Sequence, residues 1–78
     1  MRRAVKALRR DGDPALAGRL LESAHQNSPD GALAEEVMSL RVEAALARRD
    51  ARARAYAQEY LARYPAGRCR ELVERALR

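Results

Sequence analysis

The chain contains no phenylalanine and no tryptophan, and a single cysteine, Cys69. One cysteine excludes an intramolecular disulfide and any cysteine-based zinc site. Histidine is as scarce, with His25 alone, so a His-Glu-x-x-His pair or a Cys/His cluster is ruled out. No glycine-rich phosphate loop is present. No apolar run approaches the ~20 residues of a membrane-spanning helix. The basic start Arg2-Arg3 is not followed by the apolar segment of a secretory signal. These absences favour a cytoplasmic chain without a membrane span, or an envelope-associated one if it is a piece of a longer protein. A serine nucleophile would need a histidine partner, but Ser23 stands two residues from His25, a spacing that sends the two to different helix faces. Glu35 with Glu36, and Glu71 with Glu74, read as solvated helical faces. The expectation is a non-enzymatic protein with no cofactor and no metal.

What the chain does have is alanine and arginine. Its 78 residues are 47% apolar, much of that alanine, which favours helix while adding little burial. A chain of this length builds one domain at most, with a core only just sufficient. The formal net charge is +5, and Lys6 is the sole lysine among 16 cations. A basic balance points toward anionic partners, whereas a high-GC bacterial genome supplies arginine and alanine without any ligand.

The centre of the pattern is 33–48. At about 100° per residue, Leu33, Val37, Leu40, Ala44 and Ala47 form one apolar stripe, and Ala34, Met38, Val42, Ala45 and Leu46 a second. Two stripes predict a helix sandwiched between neighbours. Before it, residues 1–10 carry five cations and a short apolar face of Ala4, Val5 and Leu8. In Asp11-Gly12-Asp13-Pro14, Gly12 suits a helix C-cap, Asp13 an N-cap and Pro14 the first helical position. A second helix then runs from Pro14 to about Asn27, with Gly18 off its apolar face, marking either a close helix approach or nothing. Ser28 or Asp30 is expected to cap the central helix, and Asp50 the next, over 51–64. There Ala53, Ala57 and Leu61 join a ladder of Tyr56, Tyr60 and Tyr64, read either as packing residues whose hydroxyls reach water or as a partner-facing strip. One long helix over 31–63 is the alternative to a break near Arg49. After Pro65-Ala66-Gly67, a closing helix places Cys69, Leu72, Val73 and Ala76 on its inner side.

Shifted by 36 residues, the chain matches itself at Leu8 and Ala44, Ala17 and Ala53, Leu21 and Ala57, and Pro29 and Pro65. Ala17, Leu21, Ala24 and Pro29 resemble the second helix of a tetratricopeptide repeat, and Ala53, Ala57, Tyr60 and Pro65 occupy the matching places. The family's Trp and Leu-Gly pair are missing from the first helices. The resemblance implies an all-α fold of about five short antiparallel helices, stacked as tetratricopeptide-like hairpins with a closing C-terminal helix. The whole chain, 1–78, is then a single domain, with repeat 1 over about 1–29, repeat 2 over about 30–65 and the closing helix over 66–78. It looks like repeat segments at the ends of bacterial envelope and regulatory proteins.

The resulting expectation is a protein–protein interaction or scaffold module, binding another protein or a second copy. Two repeats fall short of the three that stabilise such arrays, so either the domain dimerises or further repeats precede Met1. The rival is a nucleic-acid-binding helical protein using Arg2, Arg3, Lys6, Arg9 and Arg10 together with Arg48, Arg49, Arg52 and Arg54. Against it, acids interrupt the basic residues along the sequence and no aromatic interleaves with the arginines to stack bases.

Overall fold

The computed structural model describes residues 2–78. Among these the chain is 74% helical, with five helices and no strand, so the fold is all-α. Helix α1 (Arg2–Val5) continues into a π-helical turn, Lys6–Arg10, closed by the Asp11 N–H donating to the Lys6 carbonyl at 2.9 Å. The next break is built as the residue types require. Gly12 takes φ +61°, a left-handed conformation that costs glycine no Cβ clash. Asp13 Oδ1 accepts the Leu16 N–H at 3.0 Å, and Pro14 opens α2 (Pro14–Asn27).

Helix α3 (Ala34–Ala47) lies between two apolar clusters, as the double stripe predicts. Val37, Leu40 and Ala44 pack with Ala4 and Ala7 of the N-terminal helix and Ala17 and Leu21 of α2. Met38 and Val42 pack with Ala57 and Tyr60 of α4 (Arg52–Arg63) and Val73 of α5 (Arg70–Glu74). Helix α5 is shorter than the closing helix expected, and ends in a 3-10 turn, Arg75–Leu77. The stripes are narrower than the sequence pattern. Leu33, which precedes the helix as its N-cap, is 51% exposed, and Leu46 and Ala47 in the last turn also face solvent. Ser39, buried on α3, donates its hydroxyl to the Glu36 carbonyl at 2.9 Å, which removes the cost of burying it.

Neither Ser28 nor Asp30 caps α3. Its N-cap is Leu33, without a side-chain bond, and Glu35 and Glu36 in the first turn complement the helix dipole instead. Ser28 ends α2, and Asp30 reaches across to pair with Arg63 at the end of α4. The break after α3 is real. Arg49 takes φ +56°, its N–H donates to the Leu46 carbonyl at 3.0 Å, and the Asp50 N–H donates to Ala45 at 2.9 Å. That is a Schellman cap with arginine where glycine is usual. The N-cap of α4 is Ala51, without a side-chain bond, and Asp50, one residue before it, accepts the Arg52 N–H at 2.9 Å. The radius of gyration, 11.3 Å, is close to the ~11.5 Å of a closely packed chain of this length.

Candidate functional site

A third line of residues on α3 faces neither cluster. Arg41, Ala45 and Arg48 succeed one another at helical spacing. Together with Gly18, Arg19 and Glu22 of α2 and Arg52 and Tyr56 at the α4 end, they line a pocket of about 170 Å³. Arg41 organises it. A charge only 7% exposed needs partners, and Arg41 has three. Its Nη2 and Nε lie 3.1 and 3.2 Å from Glu22 Oε2, and its Nη1 lies 3.7 Å from Glu59 Oε2. Its guanidinium also stacks 4.2 Å from the centroid of Tyr56. Glu59 faces His25 Nε2 at 3.7 Å as well, and His25 Nδ1 is buried with no hydrogen-bond partner among the described residues.

The other cations of the pocket differ in how far they are satisfied. Arg52 grips Asp50 with two nitrogens, Nη2 to Oδ2 at 2.8 Å and Nε to Oδ1 at 3.2 Å. The Arg52 side chain and then its backbone N–H draw the Asp50 carboxyl down to about 2, and the Asp50 hydrogen bond raises Arg52. Among the described residues Arg48 has only a long contact, Nη1 to Asp50 Oδ2 at 3.8 Å. Arg19 is exposed and has no ion-pair partner among the described residues.

The structure divides the cations singled out by sequence. Arg48 and Arg52 join the pocket, while Arg49 and Arg54 are exposed outside its lining. Arg2, Lys6, Arg9 and Arg10 line a shallow depression with Val5 on the outer side of the N-terminal helix, and Arg3 is exposed on the same helix. Arg9 there is held by Glu43, Nη2 to Oε1 at 3.0 Å, a hydrogen bond that raises its pKa, and Lys6 stands 3.8 Å from Asp11. Sequence reasoning missed Arg19, Glu22, Arg41 and Glu59. The available signal was Arg41 itself, a cation on a helix otherwise read as sandwiched.

The tyrosine ladder is not a strip. Tyr60 is 0% exposed, so it neither faces a partner nor sends its hydroxyl to water. That hydroxyl donates to Glu35 Oε2 at 2.8 Å and accepts the Cys69 N–H at 3.1 Å, while Glu35 Oε2 also accepts the Arg68 N–H at 3.0 Å. The cluster pins the start of α5 to the start of α3. Tyr64 is half-buried, its ring 5.4 Å from that of Tyr60, and Arg63 lies 5.8 Å over its ring. Cys69 is half-buried against the second cluster. Among the described residues no three His, Cys, Asp or Glu gather as a metal site, and no helix is long and apolar enough to cross a membrane.

Fold and site define an all-α helical assembly with a charged pocket on one face. The chain matches no protein-family model, no curated protein and no solved structure.

Proposed function

We propose that the chain is a non-enzymatic protein–protein interaction or scaffold module, built as a tetratricopeptide-like stack of helical hairpins. The observation that carries this reading is the pocket between α2, α3 and α4, two of whose four arginines are already fixed by ion pairs. Arg41 is locked to Glu22 and Glu59 and stacked on Tyr56, and Arg52 is locked to Asp50. The part of a surface that is fixed before binding loses little side-chain entropy when a partner arrives. Ser23, the serine nearest His25 in sequence, has its Oγ accepting from Asn27 Nδ2 at 3.5 Å among the described residues.

The exposed Arg2, Arg3 and Arg10 favour a second reading, phosphate contacts by the N-terminal helix. One experiment separates the two. The chain is immobilised and exposed to lysate at moderate salt, with and without nuclease. A specific protein retained after nuclease supports the module, and retention abolished by nuclease transfers the function to the basic helix.

A further inference from the structure

We infer that the pocket between α2, α3 and α4 docks an acidic segment of a partner protein, one carboxylate of which sits at Arg19 and Arg48 above Gly18 and Ala45. The inference rests on the interaction-module reading and names its partner class. Four arginines line the pocket against one glutamate, Glu22. Two of the four, Arg41 and Arg52, are committed to carboxylates of the chain itself. Among the described residues Arg19 has no such partner and Arg48 only the 3.8 Å contact to Asp50, yet each guanidinium carries five N–H donors suited to a carboxylate. These two are the groups an incoming anion can use.

The floor is shaped for that occupant. Gly18 lies inside α2, where glycine is unfavourable relative to alanine. The fold does not demand it, because a Cβ there would meet Arg48 Nη1 at an ordinary 3.6 Å. Such a Cβ would instead fill part of the pocket. A volume near 170 Å³ amounts to about five or six waters at ~30 Å³ each, room for one acidic side chain. A nucleic acid finds less here, because the Tyr56 ring already carries the Arg41 guanidinium and offers no free platform for a base. A second copy is disfavoured by the like charge of two chains at +5.

The test is an NMR titration of the isotope-labelled chain with acetyl-hexaglutamate amide, hexaglutamine and an oligodeoxythymidylate, repeated on Arg19→Ala, Arg48→Ala and Arg54→Ala. Both pocket residues have solvent-exposed side chains, so the variants keep the fold, checked by far-UV circular dichroism. Hexaglutamate is expected to shift the Gly18 and Ala45 amides, and hexaglutamine is not. Affinity should fall roughly tenfold in Arg19→Ala and in Arg48→Ala and stay unchanged in Arg54→Ala. Shifts confined to Arg2–Arg10, no shifts, or equal weakening by Arg54→Ala overturn the assignment. So does tighter binding of the oligonucleotide at the same amides. A lysate partner still retained by Arg19→Ala and Arg48→Ala would overturn the pocket alone and leave the module reading standing, whereas no retained protein at all overturns the module.

Discussion

Replacing Tyr60 by phenylalanine keeps the buried ring and removes one oxygen, so it isolates the pin that joins the starts of α3 and α5. The hydroxyl makes two hydrogen bonds, one to a carboxylate, Glu35 Oε2 at 2.8 Å, and one from the Cys69 N–H at 3.1 Å. A bond to a charged group contributes about 1.5–3 kcal/mol, and an orphaned N–H costs about 1–3 kcal/mol. Cys69 is half-buried and Glu35 is not fully buried, so water recovers part of this. The expected loss is about 2–3 kcal/mol. That is a large share of the ~4–12 kcal/mol total stability of a chain this size. Urea unfolding followed by circular dichroism should show a lower midpoint with an unchanged slope. Alkaline titration gives a second readout. Burial first, then the Glu35 hydrogen bond, pushes the Tyr60 hydroxyl up from 10.0 to about 12. The folded value lies above the unfolded one, so this contribution is complete below pH 10 and is lost as pH rises toward 12. The phenylalanine variant should lack that part of the alkaline loss. A destabilisation below about 0.5 kcal/mol, the range of neutral surface changes, would refute the pin.

Gly67→Ala attacks the same pin from the loop: its Cβ would stand 2.7 Å from Glu35 Oε2 and 3.0 Å from Tyr60 Cζ, so the cluster must shift. A loss of at least ~1–3 kcal/mol is expected from such overpacking, and an unaltered urea midpoint would count against the geometry. Arg49→Gly should raise stability by up to ~1 kcal/mol, because φ +56° at the α3 C-cap strains a residue with a Cβ; a lower melting temperature would contradict it. Leu40→Ala, at a side chain 5% exposed between α3 and α2, should cost ~2–5 kcal/mol in chemical unfolding. A cost under about 0.5 kcal/mol would sink the sandwiched helix.

Much of the fold was legible because its signals lie within a helical turn or two. Asp13-Pro14 announces α2, since a cap bonds to the N–H three residues on. Val37, Leu40 and Ala44, with Met38 and Val42, announce two neighbours for α3, since helical periodicity alone sets their directions. Other features were not legible. The break near Arg49 shows only as a shift of apolar phase, without a glycine to give its geometry, and nothing local sets the exposure of Leu33.

The site was less readable than the fold. Composition and spacing determined by themselves that the chain is helical, basic and punctuated at Gly12, near Arg49 and at Gly67. Which arginines are locked and which remain open was decided only by tertiary structure. Arg41 meets Glu22 from 19 residues away, Tyr60 meets Glu35 from 25, and Arg9 meets Glu43 from 34. Partners so distant along the chain are chosen by how the helices rotate and slide against one another. That arrangement is set by the packing of Leu21, Met38, Val42, Tyr60 and Val73 in the two cores, and the charged side chains take whatever neighbours it leaves them.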